Sequence, residues 1–498
     1  MWDHVLTGFE TALTPHNLLF CLIGVVLGTI IGLLPGLGSA TGVALLMPLT
    51  LGMEPVTALI MLAGLYYGTQ YGGTISSILV STPGEASTVV TTFDGYQMAR
   101  RGRAGQALAI AAIGSFIAGT ITIVLLMTAA PVFARYAVKF GPPEMVALVM
   151  LGLAGVVGFA QGSAVFKGLA MGFVGIALAT VGLDPQSGVP RFTFGSVELL
   201  GGIGFVAVVI GVFALSEVMG QARLERRDPI RTRLRDLLLS REDLRRSIGP
   251  ITRGTFVGFF LGILPGSGAT IASFISYDLE KRISKRKNEF GKGAIEGVAG
   301  PEASNNAAVN GAFVPTLALG IPGSGTTAVL LGAFILFGIQ PGPLLMEKEA
   351  PLVWGLLASF YIGNVLLLIL NLPMAPMFAS ILRLRYSLLY PIIIVASLLG
   401  AYAIEQRMWG AWIAVAAAFV GFFMTKYGFP AAPLILGLIL GPMLEANLNR
   451  TSSMGHGDWA IFLHRPIALV VFAIAAAILV LPSVIGRRTG VRTGVLVE

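Results

Sequence analysis

The sequence has 498 residues, of which 55% are hydrophobic and only 12% are charged, and its mean hydropathy is +0.83. A water-soluble protein carries about 25% charged residues, so this composition excludes a soluble class and favours a helical protein that crosses a membrane several times. A transmembrane barrel is also excluded, because its strands would alternate and be less apolar.

The net charge of +8 is concentrated in two segments, an arginine-rich one at 223–246 and a lysine-rich one at 281–292. Cytoplasmic loops of membrane proteins are enriched in such residues, which explains the charge better than nucleic-acid binding does. The one cysteine, Cys21, excludes a disulfide within the chain. The four histidines form no ligand pair at helical spacing, so no transition-metal site is expected.

In chain order, the first predicted span is the apolar stretch at 17–34. Neither a basic segment before it nor a cleavage site after it is evident, so we expect it to be retained. The other stretches of membrane-spanning length lie at 104–130, 144–160, 165–183, 197–219, 351–372, 386–405, 408–425 and 465–485.

One pattern of helix-breaking residues occurs twice among these stretches. It reads LLPGLGSAT at 33–41 and ILPGSGAT at 263–270. A second break follows each copy, STPGEAST at 81–88 and GIPGSGTT at 320–327. Matched breaks in the two halves of a membrane protein are the best sequence indication of a transport site.

The two copies divide the chain into two repeats joined by a linker. The first repeat is predicted at 1–220, the basic cytoplasmic linker at 221–250, and the second repeat, with an extra C-terminal span, at 251–498.

Charge predicts how the two repeats are oriented. The loop at 51–55 contains a glutamate and no base, whereas its counterpart at 281–292 is strongly basic; the loop at 100–103 is basic, whereas its counterpart carries Glu347, Lys348 and Glu349. Equivalent loops therefore belong on opposite sides of the membrane, which predicts inverted repeats. The N-terminus is then periplasmic and the C-terminus cytoplasmic.

Each second break predicts a re-entrant helical hairpin, at about 73–98 and 312–338. Both segments are too short for two full spans, and each has a Pro-Gly pair near its middle, where proline ends a helix and glycine permits the turn. In inverted repeats the two tips enter from opposite faces and meet near the midplane. The alternative is that each Pro-Gly pair only kinks packed helices.

The predicted tips have the chemistry to bind an anion. The half-helix after each break begins with unpaired amides at the positive end of its dipole, which suits a carboxylate, and hydroxyl groups can cap it or contact a ligand. The residues predicted to bind substrate surround the breaks: Ser39, Thr41, Gly84, Glu85, Ser87, Thr88, Ser267, Thr270, Asn306, Asn310, Gly323, Ser324, Gly325, Thr326 and Thr327.

A cation site is predicted at the same place. Free carbonyl groups at broken helices and polar groups deep in the membrane can bind a cation or proton; the candidates are Gly36, Gly38, Gly266, Gly268, Glu302 and Asn305. Glu302, Asn306 and Asn310 share one helix face, and an interhelical hydrogen-bond network is the alternative role for the asparagines. The central segments contain no lysine or arginine, which favours uptake in which a cation helps to hold the anion.

Long motifs in the chain resemble one protein family. They lie at 32–38, 67–85, 93–96, 182–192, 301–307 and 338–343. Over almost its whole length the chain resembles the large membrane subunit of the bacterial tripartite tricarboxylate transporters. The resemblance implies secondary active import of carboxylates across the inner membrane, coupled to sodium or protons and without an organic cofactor.

The resemblance also implies partners and a fold. The partners would be a small four-helix membrane subunit and a periplasmic solute-binding protein that delivers the substrate. The fold would be an all-α, ion-transporter-type arrangement of inverted repeats that works as an elevator. A membrane-embedded enzyme is disfavoured because the sequence lacks His-Glu-x-x-His and Gly-x-Ser-x-Gly. A carboxylate-selective channel or facilitator that ignores ion gradients remains the alternative function.

Overall fold

The computed structural model describes residues 2–158, 163–184, 186–220, 229–230, 234–266, 268–382 and 386–489. These residues are mostly helical, and five helices are long and apolar enough to cross a membrane. The candidate spans are Pro15–Leu33, Ala350–Asn371, Met408–Lys426, Ala431–Met454 and the longer stretch Ala86–Ala137, which contains more than one helix. The prediction of an all-α, multi-pass membrane protein is therefore confirmed.

The elements of the first half include every helix before residue 221 and two short antiparallel strands. The helices are α1 (Trp2–Ala12), α2 (Pro15–Leu33), α3 (Gly38–Leu46), α4 (Pro55–Val80), α5 (Val89–Met98), α6 (Ala104–Ala137), α7 (Pro142–Gly158), α8 (Ser163–Ala179), α9 (Phe205–Val209) and α10 (Ser216–Gly220). The strands β1 (Gly182–Leu183) and β2 (Pro190–Arg191) pair between α8 and α9. Tighter or wider helical turns occupy Met47–Thr50, Ala86–Thr88, Ala99–Arg103, Glu198–Gly201 and Ile210–Leu215.

The elements of the second half are helical. They are α11 (Arg241–Ile263), α12 (Gly268–Ile283), α13 (Glu296–Leu319), α14 (Gly325–Leu336), α15 (Leu345–Lys348), α16 (Ala350–Asn371), α17 (Ala375–Ile381), α18 (Tyr386–Glu405), α19 (Met408–Lys426), α20 (Ala431–Met454) and α21 (Pro466–Thr489). Short 3-10 turns occupy Leu234–Leu237, Lys287–Glu289 and Trp459–His464. Part of the predicted linker, at 221–228 and 231–233, lies outside the described residues.

The chain forms two compact units that do not coincide with the two sequence halves. The first unit comprises 1–138 and 204–423, and the second comprises 139–203 and 424–498. Each unit is therefore assembled from both halves of the chain. Within the second unit, α8 and α20 pack closely, because Gly437 lies against the carbonyl group of Gly172.

Glycine spacing sets the packing of the first unit. Gly24, Gly28 and Gly32 on α2 lie against the carbonyl groups of Met61, Leu65 and Thr69 on α4, so these helices run parallel and in close contact. The same arrangement recurs in the second half, where Gly254, Gly258 and Gly262 on α11 lie against Gly300, Ser304 and Ala308 on α13.

The central helices of the two halves run in opposite directions. Thr74 of α4 bonds to Glu302 of α13 at 2.7 Å, whereas the rings of Tyr66 and Phe313 lie 6.2 Å apart. Residue numbers thus rise along α4 as they fall along α13. The two helices cross near Thr69 and Ala308, the positions where α2 and α11 come to their ends.

The structure corrects the predicted helical hairpins at 73–98 and 312–338. The helix α4 continues unbroken from Pro55 to Val80, and α13 from Glu296 to Leu319, because neighbouring helices bury the polar residues inside them and hydrogen-bond several of these, such as Gln70, Glu302 and Asn306. Helical hairpins occur instead around the first breaks. They join α2 to α3 and α11 to α12, with their tips at 34–37 and 264–266.

After each central helix the chain makes a short extended return toward the helix middle. We call 81–85 the first return and 320–324 the second return. The first begins at Ser81, whose φ of 57° lies in the left-handed region, and brings Glu85 back beside Gly73. Helix α5 then runs in the direction of α4, which brings Gly95 beside Ile78.

The second return has the same course. It begins at Gly320, whose φ is 70°, and brings Gly323 back beside Ala312. After α14, the chain reaches Gly320 again at Pro341 and Gly342. The re-entrant feature is therefore an extended strand followed by a half-helix, and not a pair of helices.

Candidate functional site

Four breaks meet near the crossing of α4 and α13. We call this region the break cluster; it comprises the hairpin tips at 34–37 and 264–266 and the two returns. The backbone amide of Gly266 donates to the carbonyl of Gly323 at 3.0 Å. The hydroxyl groups of Ser39 and Thr326 lie 2.6 Å apart, and Ser273 donates to the carbonyl of Ser87 at 2.8 Å. Each of the last two contacts joins a hairpin of one half to the half-helix of the other.

The cluster gathers the N-terminal ends of several helices. Helices α3, α12 and α14 begin there, and α5 follows after the turn at Ala86–Thr88. Gly36, Gly38, Gly266 and Gly268 have φ between 57° and 84°, conformations that only glycine adopts without strain. The start of a helix presents unpaired amides and a positive dipole end, so the cluster is suited to negative charge.

A carboxylate of the protein already occupies one of these ends. Oε2 of Glu85 accepts a hydrogen bond of 2.6 Å from the backbone amide of Ser39 in the first turn of α3. The backbone of the first return is fixed as well, because Thr88 donates to the carbonyl of Glu85 at 2.8 Å and Ser77 donates to Thr88 at 2.9 Å. Gly84 lies against the carbonyl group of Gly32, which leaves no space for a side chain.

The corresponding end in the second half carries no charge. Ser324, like Glu85, follows the proline of its break by two positions, and it caps α14 through a reciprocal pair of bonds with Thr327 of 2.8 and 3.2 Å. Its hydroxyl lies 3.4 Å from the hydroxyl of Tyr66. Gly325 is half-buried at the start of α14. The second return is therefore lined by neutral donors.

Two predicted residues lie elsewhere or contribute only backbone contacts. Thr41 donates to the carbonyl of Phe213 at 3.4 Å, and so faces the turn at Ile210–Leu215. Thr270 contributes its carbonyl, which accepts from Ser273 at 2.9 Å. Ser267 lies outside the described residues.

A second polar group surrounds Glu302, which is 1% exposed. Its carboxylate accepts hydrogen bonds from Thr74, at 2.7 Å, and from Thr91. These donors come from α4 and α5 and are neutral. Thr74 lies before the first return and Thr91 lies after it, so two threonines of the first half bind the carboxylate of Glu302 in the second half.

The asparagines of α13 differ in their surroundings. Asn306 donates to Ser115 at 2.7 Å and Asn310 donates to Thr122 at 2.8 Å, so both join α13 to α6, as an interhelical network does. Asn305 is fully buried, and among the described residues neither its amide nitrogen nor its amide oxygen has a partner. The amide oxygen of Asn310 also has no partner among the described residues. An unpaired buried amide group costs free energy, so Asn305 has free capacity for a ligand through both of its amide atoms and Asn310 through its oxygen.

Sequence reasoning missed three residues that complete the cluster. Gln70 accepts from Ser87 at 2.7 Å, Tyr66 reaches Ser324, and Ser273 reaches Ser87. The signal for the first two was the polar stretch at 66–73 inside an apolar helix. Ser273 carried no such signal, because serine is common in packed membrane helices.

Comparisons with known proteins give one family. A family model described as the tripartite tricarboxylate transporter TctA family matches residues 18–436. The chain is 48% identical over 485 residues, or 97% of its length and 96% of the relative's, to an Agrobacterium vitis protein called "Uncharacterized 52.8 kDa protein in TAR-I ttuC' 3'region". It is 42% identical over 234 residues, or 46% of its length and 97% of the relative's, to "Uncharacterized protein in TAR-II ttuC' 3'region" of Agrobacterium vitis. No solved structure matches.

Proposed function

The chain belongs to the tripartite tricarboxylate transporter TctA family, and on this premise we propose that its break cluster carries carboxylates across the membrane in company with a cation. Family membership makes the chain the large membrane subunit of a tripartite transporter. The proposed partners are the small four-helix membrane subunit and a periplasmic binding protein that delivers substrate. The proposed location is the bacterial inner membrane, with the N-terminus periplasmic and the C-terminus cytoplasmic.

One observation carries the proposal: the carboxylate of Glu85 sits on the first turn of α3. This contact supports carboxylate recognition by helix ends in the cluster, because an acid of the protein is already held by a backbone amide there. The ends of α12 and α14 present glycine and hydroxyl groups instead. We assign the substrate carboxylates to these second-half ends, with Ser324, Gly325, Thr326 and Thr327 as contacts.

The same contact argues for a coupling cation. An incoming carboxylate in the cluster would be repelled by Glu85 unless a cation or proton neutralised it. Glu302 and Asn305 supply further oxygen atoms of the kind that sodium prefers, and the carbonyl groups beside Gly36, Gly38, Gly266 and Gly268 add to the set. Substrate and cation would therefore bind together, which is the requirement for symport.

The arrangement of the helices supports an inverted repeat as the basis of transport. Both halves repeat the order of hairpin, central helix, return and half-helix, and α4 and α13 run in opposite directions. We propose that the first unit carries the site in an elevator-type movement, and that the protein is a transporter and not an enzyme.

Reconstituted transport tests the proposal. The chain, its small subunit and its binding protein would be placed in vesicles, and uptake of labelled citrate, isocitrate, succinate and malate would be followed under a sodium gradient, a proton gradient or neither. We expect accumulation above the external concentration only with a cation gradient. Uptake that stops at equal concentrations and ignores both gradients would instead identify a facilitator.

A further inference from the structure

A cavity of about 530 Å³ lies at the basic end of the first unit, where the first return begins. Its wall includes Ser81, four residues of α5 and two residues of α12. The polar members of the wall are Ser81, Thr92, Tyr96, Gln97, Tyr277 and Lys281. A cavity of this size is in the range that holds small-molecule ligands.

The polar side chains that line the cavity are suited to binding an anion. Lys281 is exposed at its rim, and among the described residues it forms no ion pair. The acidic neighbours of Lys281 on α12 already have partners, since Asp278 pairs with Arg282 at 2.7 Å and Glu280 with Arg253 at 2.6 Å. Hydroxyl and amide groups complete the wall, and none of the described residues that line it is acidic.

The wall is fixed before any ligand arrives. Asp94, which is fully buried, accepts hydrogen bonds from the amides of Gly293 and Ala294 at 2.7 and 2.8 Å and from the hydroxyl of Tyr277 at 2.9 Å. The ring of Tyr277 packs edge-on against Phe93 and Phe290 at 5.6 and 5.5 Å. Asp94 is therefore a positioning residue for Tyr277. Because the wall is already ordered, ligand binding costs little conformational free energy there.

The cavity lies at the more exposed of the two returns. Along the first return, Thr82, Pro83 and Glu85 are half-buried, and Ala86 beyond them is exposed. Along the second return, 320–323 are buried, and Pro341 and Gly342 cover Gly320. The cavity therefore adjoins, through Ser81, the return that leads to the break cluster and is less enclosed.

We propose that this cavity is a release vestibule, in which Lys281 binds a carboxylate anion between the break cluster and the cytoplasm. This inference rests on the proposed function and adds a second binding site to it. An ammonium group forms charge-assisted hydrogen bonds to a carboxylate, and the hydroxyl groups of Ser81, Thr92 and Tyr96 can hold a second carboxylate of the same molecule. The ligand class is therefore a di- or tricarboxylate.

The direct test measures occupancy of the vestibule without transport. Gln97→Cys places a thiol in the wall of the purified full-length protein, whose natural Cys21 is buried, and its labelling by a charged maleimide is followed with and without citrate. We expect citrate to slow labelling about fivefold in this variant and to have no effect once Lys281→Gln is added. Equal citrate protection with and without Lys281 overturns the proposal, and so does the absence of protection.

Transport then separates this proposal from the proposed function. In reconstituted complexes, Lys281→Gln should raise the internal citrate concentration for half-maximal efflux about fivefold, Lys281→Arg should restore it, and uptake should keep its external KM. Lys285→Gln, in the same basic segment but outside the cavity, is the matched control. Normal efflux by Lys281→Gln in a complex that transports citrate refutes the vestibule alone, whereas a wild-type complex that moves no carboxylate refutes the transport function.

Discussion

The first and second returns have one backbone shape and two kinds of chemistry. Each follows a left-handed residue at the end of a central helix, runs back toward the helix middle and ends at a half-helix. The first ends in Glu85, whose carboxylate bonds to the start of α3, whereas the second ends in Ser324, whose hydroxyl caps its own helix. The first is half-open, and the second is covered by Pro341 and Gly342.

This difference suggests a division of labour between the halves. A symmetric pair of returns would offer two equal anion sites, and one carboxylate substrate could bind to either in two orientations. Under the proposed function, the acid in the first return removes one of these sites and offers a place for a cation. The substrate would then bind at the neutral donors of the second half.

The largest expected effect concerns the backbone that both returns share. Gly84→Ala should reduce the yield of folded protein severely, because its Cβ would overlap the carbonyl group of Gly32 on a packed helix, and overpacking of this kind costs about 1–3 kcal/mol. The melting temperature of the detergent-solubilised protein measures the loss. Gly220→Ala, where nothing lies within 4 Å of an added Cβ, is the control and should melt like the wild type.

Gly323→Ala extends this comparison to the second return. An added Cβ there would lie 2.7–2.9 Å from atoms of Ala312, so a shift of the return is again required. A fully stable Gly323→Ala variant beside an unstable Gly84→Ala variant would mean that the two returns are packed differently despite their shared course.

The next effect concerns the charge that distinguishes the returns. Glu85→Gln keeps the shape of the side chain but removes its charge, so uptake in reconstituted vesicles should fall about tenfold and lose its dependence on the cation gradient. The tenfold figure corresponds to about 1.4 kcal/mol of lost cation binding. Glu54→Gln, which is exposed and makes no capping bond with its side chain at the start of α4, is the matched control. Unchanged cation dependence in Glu85→Gln would remove Glu85 from the coupling site.

A smaller effect is expected at the corresponding position of the second return. Ser324→Ala removes the N-cap of α14 and should cost about 1 kcal/mol, with a fall in melting temperature of about 2–4 °C. Because we also propose that Ser324 contacts the substrate, the external KM for citrate should be higher in the Ser324→Ala variant. The dependence of uptake on the cation gradient should stay normal in this variant. Thr252→Ala removes an exposed hydroxyl that bonds only its own helix, and should change neither quantity.

The sequence was sufficient to predict the family, the helical class and the location of all four breaks. Proline and glycine restrict the backbone locally, so the breaks at Pro35, Pro83, Pro265 and Pro322 can be read from single positions. The direction of the chain after each break cannot be read from single positions, because it depends on contacts with distant helices. The helix α4 passes through its polar stretch at 66–73 intact because Gln70, Tyr66 and Tyr71 find partners on other elements.

The roles of individual polar residues could not be predicted from the sequence either. Asn305 and Asn306 are adjacent and chemically identical, yet one has no partner among the described residues and the other bonds to α6. The difference arises from a rotation of about 100° between successive helical residues. Likewise Glu85 and Ser324 occupy equivalent places in a motif, and only the bond to Ser39 reveals that the acid reaches a helix end.

The smallest effect separates the segments that follow α5 and α14. After α5 the chain is tied to α11 by the ion pair of Arg103 with Asp243 at 2.6 Å, whereas after α14 the chain closes on Gly320 through backbone contacts. Burial raises the pKa of Asp243, but hydrogen bonds from Ser240 and the charge and hydrogen bond of Arg103 outweigh it and lower the pKa overall. The folded protein therefore holds this carboxylate in its charged form more strongly than the unfolded chain does.

The sign of the resulting pH dependence follows from linkage. A carboxyl group whose pKa is lowered on folding contributes stability above its unfolded pKa of about 3.9 and loses that contribution as pH falls through the lower folded value. The melting temperature of the wild type should exceed that of Asp243→Asn by a few degrees at pH 7, and the gap should close below about pH 4. Asp278→Asn, whose ion pair with Arg282 is exposed, should show a gap near zero at both pH values. A gap for Asp243→Asn that persists unchanged in acid would assign its effect to the hydrogen bonds between Asp243 and Ser240 at the start of α11 and not to charge.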